Sequence, residues 1–174
     1  GNGDLWDTGK VESDESIHIT YEGKKLQSRQ RVWWKVQVWD SDGENFDWSE
    51  VSYWEMGLLK SDDWSAEWIG TTLRGGKWTT VPCPFLRKEF TLKNPVSKAR
   101  LYVTALGLVE VHLNGEKVGD TLFSPGWTDY RKRVQYEVYD VSGLIKEGDN
   151  CVGSILGDGW YCGFIHTDGR QQYG

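Results

Sequence analysis

The sequence predicts an all-β protein of two domains, and three observations carry that prediction. Short stretches rich in Val, Ile, Tyr, Phe and Trp recur along the chain and end at Gly, Asn and Asp turn signals. No segment keeps an apolar period of 3.6 over the roughly dozen residues that a core helix needs. The 174 residues include 11 Trp and 21 Gly against one Met and four Pro, a balance that suits aromatic strands joined by tight turns.

Composition and charge narrow the function classes. With 38% hydrophobic and 26% charged residues the chain lies far from the signature of disorder, so a folded core is expected. No apolar run approaches the roughly 18 to 20 residues of a membrane helix, and the N-terminus lacks a signal-peptide layout, so no membrane partner is expected. The formal charge of −6 repels a phosphate backbone, which argues against nucleic acid. Cys83, Cys151 and Cys162 are odd in number and match no zinc spacing, so neither metal nor other cofactor is called for. An odd count fits a reducing, cytoplasmic setting slightly better than a secreted one. The chain starts at Gly1 without Met and stops at Gly174 after a polar, glycine-rich run, and is expected to be a piece of a longer protein.

Ile17 to Tyr21 reads as a first short strand, ended by Glu22-Gly23. Arg31 to Asp40 alternates cleanly, with Val32, Trp34, Val36 and Val38 on one face and Arg31, Trp33, Lys35, Gln37 and Trp39 on the other, which predicts a half-buried strand. Asp40 to Asn45 reads as a turn-rich loop, and Val51 to Met56 as the returning arm of a hairpin. Residues 60–84 break into irregular sequence, with Arg74-Gly75-Gly76-Lys77 among its most loop-like parts, and are read as a linker between domains 1–59 and 85–174. Patterning returns at Phe85 to Leu92, Ala99 to Ala105, Val109 to Leu113, Val134 to Tyr139 and Cys151 to Leu156. Asn114-Gly115 predicts a type I′ turn joining Val109–Leu113 to Lys117–Val118, since both central residues of that turn need positive φ. Asp140 to Ile145 predicts a single helical turn capped by Asp140 or Ser142.

Several ordered motifs carry a resemblance. Leu5 to Val11, Arg31 to Asp40, Trp48-Ser49-Glu50 and Trp54 to Leu59 resemble the fibronectin-type-III-like domain at the front of bacterial α-L-rhamnosidases. Asp63-Trp64 and Trp68-Ile69-Gly70 look like its junction, and Leu86 to Phe90 with Ala99 to Gly107 look like the first strands of that family's N-terminal, jelly-roll-like β-sandwich. His112 to Gly115, Val118-Gly119, Pro125 to Tyr130, Val134 to Tyr136, Tyr139 to Val141, Leu156 to Tyr161 and Gly169-Arg170 are the most specific matches. The resemblance implies a partial fibronectin-III-like sandwich over 1–59, with leading strands missing, followed by a sandwich over 85–174 that is truncated at its end. It also implies that catalysis belongs to an absent helical barrel, where two carboxylates would invert the anomeric centre, so no catalytic residue is carried over to this chain. The implied partners are that catalytic domain and rhamnosyl carbohydrate.

Two clusters are candidate ligand contacts. Trp127, Asp129 and Tyr130 combine aromatic faces with a carboxylate, the chemistry that stacks on and hydrogen-bonds a sugar. The frequency with which aromatics are buried favours instead Trp127 in the core, with Asp129 and Arg131 closing a turn. Asp158, Trp160 and Tyr161 lie between Gly157, Gly159 and Gly163, where close backbone approach suits a docking loop for the catalytic barrel or the rim of its site. Asp40, Asp42, Asn45 and Asp47 look like a fragment of a calcium loop but lack its final Glu, and read as a solvated turn. His18, His112 and His166 are scattered, and Cys162 near His166 reads as a small hydrophobe. Arg131-Lys132-Arg133 reads as a solvated strand or contact face. The expected function is a non-catalytic accessory part of an α-L-rhamnosidase. The alternatives are a stand-alone carbohydrate-binding module and a structural β-sandwich adhesion or spacer protein.

Overall fold

Extended segments become sheet in this protein only where a second strand lies within hydrogen-bonding reach. The computed structural model describes residues 3–76, 78, 79, 81–164 and 173, in two units, Gly1–Trp68 and Ile69–Gly174. Lys77, His166 and Gly169-Arg170, named above, lie outside the described residues.

In the first unit β1 (Arg31–Trp34) pairs antiparallel with β2 (Ser52–Glu55), from Arg31↔Glu55 to Trp34↔Ser52. The predicted strand is therefore regular only over its first four residues. Beyond Trp34 the hairpin continues loosely: the Val36 carbonyl accepts from Ser49 N (2.8 Å) and the Val38 carbonyl from Phe46 N (3.0 Å). Its tip is closed by Asp40 Oδ1, which accepts from the amides of Asp42 (3.0 Å) and Glu44 (2.9 Å). Of the predicted apolar face only Val32 is buried, at 4% exposure, whereas Trp34, Val36 and Val38 are 43%, 49% and 56% exposed. Trp6 packs edge-on against Tyr21, and Tyr21 against Trp54, the cross-strand partner of Val32, so the cover reaches only that end of the sheet. The opposite face carries cations over its rings: Arg31 over Tyr53 at 4.4 Å, Lys35 over Trp48 at 4.3 Å and Lys10 over Trp39 at 5.4 Å. Arg31 is also paired with Glu55 at 3.1 Å. The strand expected at Ile17 to Tyr21 does not form. His18 sits at φ 60°, which breaks extension, and Ile17 and Ile19 stay exposed with no ladder partner among the described residues.

The second unit contains β3 (Phe85–Leu92), β4 (Arg100–Val103), β5 (Leu108–Leu113), β6 (Glu116–Lys117), β7 (Glu137–Asp140) and β8 (Gly148–Gly157). One antiparallel sheet has the order β3-β8-β5-β6, and a second pairs β4 with β7. The two sheets face each other. Val111, Leu113, Val118 and Val141 form the buried centre, with Phe90 and Val152 packing from the larger sheet and Leu101, Val103 and Tyr139 from the smaller. The prediction of all-β sandwich architecture is met. The strand expected over Val134 to Tyr139 starts only at Glu137. At the helical turn after β7, Ile145 N reaches the Val141 carbonyl (3.1 Å), and Asp140 Oδ1 accepts from both the amide (3.0 Å) and the hydroxyl (2.6 Å) of Ser142. Those two bonds, the hydroxyl first, and the nearby Arg100 guanidinium hold the Asp140 carboxyl below the usual range.

The predicted type I′ turn is present, with φ 54° at Asn114 and 90° at Gly115. Its asparagine also does more than turn the chain. Asn114 Nδ2 donates to the Leu144 carbonyl (2.8 Å) and to Asn150 Oδ1 (2.9 Å), while Asn114 Oδ1 accepts from Cys151 N (2.9 Å). Asn150, 3% exposed, donates from Nδ2 to the carbonyls of Lys146 (2.7 Å) and Gly148 (2.9 Å) and accepts from Lys146 N (3.0 Å). Replacing Asn150 with Leu leaves several buried polar groups unmatched, and is expected to cost about 3 kcal/mol in urea unfolding. Asn150→Asp, which removes both amide protons facing two carbonyls, should cost at least as much at neutral pH.

Candidate functional site

The ladder between β5 and β8 ends at Leu108↔Gly157, and both chains leave the sheet there through glycines in close contact. Gly107 sits at φ 104°, and a Cβ on it would lie 2.4 Å from the Gly157 oxygen and 2.7 Å from the Asp158 oxygen. Gly159 sits at φ 48°, and a Cβ on it would lie 2.7 Å from Leu108 Cγ. Only bare backbone fits. Released in this way, the chain turns from β8 directly into α1 (Gly159–Cys162), a single turn in which the amides of Tyr161 (3.2 Å) and Cys162 (3.3 Å) approach the Asp158 carbonyl. The docking loop expected between Gly157 and Gly163 is thus partly helical, over a span too short to leave a periodic signal in sequence.

Across from α1 lies the loop Phe123 to Tyr130. Val109 N donates to the Ser124 carbonyl (2.9 Å), which fixes the loop to β5. The Ser124-Pro125 peptide is cis, and φ is positive at Phe123 (56°) and Gly126 (99°). Tyr130, 9% exposed, donates weakly to the Gly126 carbonyl (3.3 Å) and packs edge-on against Tyr161 (5.4 Å) and Tyr173 (5.2 Å). It pins the loop to α1. Burial, with a smaller contribution from Tyr173, pushes the Tyr130 phenol above the usual tyrosine range.

Next to this pin two indoles and one phenyl ring come together. Trp127, 57% exposed, lies parallel to Trp160, with planes 4° apart and centroids 6.1 Å apart. Phe123, 67% exposed, meets Trp160 edge-on at 6.1 Å. The packing expectation for Trp127 is overturned: aliphatic residues fill the sandwich core, and this indole stands on a loop beyond the end of the sheet. The turn expectation for its neighbours holds, since Asp129 Oδ1 accepts from Arg131 N (3.2 Å) and the Asp129 carbonyl from the amides of Lys132 (2.8 Å) and Arg133 (2.9 Å). Arg131 to Arg133 therefore open in a turn and not in a strand, with the Arg131 guanidinium 5.6 Å from the Tyr173 ring.

The six predicted contact residues thus divide by role. Trp127, exposed, stacks on Trp160, which is half-buried, Tyr130 and Tyr161 pack edge-on, Asp129 closes a turn, and Asp158 starts α1. Phe123 is the member that sequence reasoning missed, and no local pattern marked it. Elsewhere, Asp40 engages backbone amides, and His112 Nε2 pairs with Glu110 at 2.8 Å. Among the described residues no group of three or more His, Cys, Asp or Glu is placed to hold a metal. Cys83 is exposed, and Cys151 and Cys162 are partly buried.

Two outcomes are expected from this geometry. Gly107→Ala drives a methyl group into two carbonyl oxygens and should lower stability by about 2 kcal/mol or more, with a matching fall in thermal midpoint. Since the folded state keeps the Tyr130 proton to higher pH than the unfolded chain does, its contribution is full below the ordinary tyrosine range and is lost as pH rises through it. Urea midpoints measured across pH should therefore decline above about pH 10, and less steeply in Tyr130→Phe.

Comparison with known proteins accounts for both units. Residues 1–60 match the Rha78A-like N-terminal immunoglobulin domain, and residues 94–174 match the α-L-rhamnosidase N-terminal domain. An α-L-rhamnosidase of Formosa agariphila is 44% identical over 168 residues, which are 93% of this chain and 18% of that protein. One from an Alteromonas species is 41% identical over 170 residues, again 18% of its length. The solved α-L-rhamnosidase from Dictyoglumus thermophilum superposes with a TM-score of 0.83 at 42% identity, covering 91% of this chain and 19% of that one. The Streptomyces avermitilis α-L-rhamnosidase, solved in complex with L-rhamnose, gives 0.87 at 25% identity, covering 98% and 33%. The chain spans less than a fifth of the length of the first two relatives. The chain carries, in tandem, the immunoglobulin-type and β-sandwich domains that match the N-terminal region of α-L-rhamnosidases.

Proposed function

We propose that this chain is the non-catalytic front of an enzyme that releases terminal α-L-rhamnose, and that its β-domains brace a helical-barrel catalytic domain encoded in the same protein. The observation that carries the reading is one of proportion: 93% of this chain aligns with only 18% of an α-L-rhamnosidase. The same region recurs in order in relatives from different bacteria, which supports a fixed place beside the catalytic machinery over a free-standing sugar module or a spacer. The bare stripe Trp34, Val36 and Val38 supports it further, because an apolar face of this kind is stabilised by a covering element. Residues 1–59 are read as a partial sandwich, 60–84 as the link and 85–174 as the second sandwich.

In this reading the acid and base carboxylates, which an inverting glycosidase holds about 6.5–9.5 Å apart, come from the barrel. The purified chain is therefore expected to release no phenol from an aryl α-L-rhamnoside, while the full-length protein does. Hydrolysis by this chain alone would overturn the bracing role, and an inactive full-length protein would overturn the assignment of the parent reaction.

A further inference from the structure

Among the described residues only Asn114 is an asparagine followed by glycine, while Asn45, Asn94 and Asn150 precede Phe46, Pro95 and Cys151. An asparagine amide carbon lies within ring-closing reach of the main-chain nitrogen of the next residue, and a glycine there has no side chain to hinder attack. Gly115 is exposed, and a Cβ placed on it would meet nothing within 4 Å, so water reaches the junction. The hairpin turn therefore sets a reactive pair at the surface of the second domain, with the Asn114 side chain half-buried behind it. We propose that Asn114-Gly115 is an intramolecular deamidation site, held silent in the folded state by the bonds of the Asn114 amide and turned by local opening into a permanent mark.

The step needs only the chain and water. The Gly115 nitrogen gives its proton to hydroxide and adds to Asn114 Cγ. The new C–N bond closes a cyclic imide as the Cγ–Nδ2 bond breaks, and Nδ2 takes a proton from water and leaves as ammonia. Water then opens either imide carbonyl, giving aspartate or isoaspartate at position 114. Addition makes Cγ tetrahedral, and departure requires a nitrogen that is free to leave. The folded protein opposes both, because Nδ2 donates to the Leu144 carbonyl (2.8 Å) and to Asn150 Oδ1 (2.9 Å) while Oδ1 accepts from Cys151 N (2.9 Å). Both amide protons are thus engaged, and three bonds hold the group planar. Asn150 is itself 3% exposed and fixed by Lys146 and Gly148, so the amide is freed only when this end of β8 moves. The product cannot return to the bracket. A carboxylate offers no donor to the Leu144 carbonyl or to Asn150 Oδ1 and sets negative charge against both, and isoaspartate adds a methylene to the main chain of a two-residue turn. A transient opening is thereby recorded as an irreversible loss.

The test follows position 114 by peptide-mapping mass spectrometry and isoaspartyl methylation while the purified chain stands at mildly alkaline pH, beside a synthetic peptide of residues 109–119. The map separates Asn114 from Asn2-Gly3, the same pair outside the described residues. Asn114 in the folded chain should react at least about tenfold more slowly than in the peptide, since the bracket must open first. Asn150→Ala, held below its thermal transition, should react at least about fivefold faster than the unmutated chain. A urea series below the unfolding transition requires no variant to fold: deamidation and the NMR-detected exchange of the Cys151 amide should accelerate in parallel. The chain deamidated at position 114, isolated by anion exchange on its added charge, should melt several degrees lower than its parent. A folded chain that reacts as fast as the peptide, a folded Asn150→Ala protein as slow as the unmutated one, urea that speeds amide exchange but not deamidation, or a deamidated chain that melts with its parent would each overturn the proposal.

Discussion

The second domain depends on one bracket of two asparagines. Asn114 belongs to a hairpin turn and Asn150 to the start of β8, and between them they satisfy backbone groups at Leu144, Lys146, Gly148 and Cys151. Their side-chain bond joins segments 36 residues apart in sequence. Since β8 is the strand that both β3 and β5 pair with, the place where it enters the sheet sets the register of the whole larger sheet. A slip of one residue in β8 would turn Val152 away from the core that it shares with Leu113.

That register carries through to the other end of the same strand. With β8 fixed at its start, Gly157 falls opposite Leu108, and only then do Gly107 and Gly159 meet. Their bare backbones allow α1 to fold back within one residue of the sheet, and α1 delivers Trp160 beside Trp127. Aromatic geometry on the surface is therefore a consequence of amide geometry in the interior, transmitted along one strand of ten residues.

Much of this was legible in the sequence where the signal is local. The Asn114-Gly115 turn could be read because both positions need a conformation that few residue types tolerate, and the strands from Phe85 onward because alternation and turn punctuation coincide. Ile17 to Tyr21 shows the limit of alternation: the pattern describes a chain able to pair, and nothing in it says whether a partner is near. Trp127 was misplaced for a related reason, since the general tendency of tryptophan to be buried carries no knowledge of a loop that stands beyond the sheet. The role of Asn150, and the company of Phe123, arise from contacts across the fold and left no trace in neighbouring residues. The residues of the two aromatic clusters stand out in the sequence by type, while their packing against one another depends on contacts that no local pattern records.

The cations that lie over Tyr53, Trp48 and Trp39 give the first domain two unlike sides. A ring capped by an ammonium or guanidinium group keeps its water and offers little to another apolar surface, while the stripe from Trp34 to Val38 has no such cover. The hairpin is therefore two-sided in character: an apolar surface packs more favourably on the bare stripe than on the side whose rings carry cations, and like charges on that side disfavour stacking on a copy of itself.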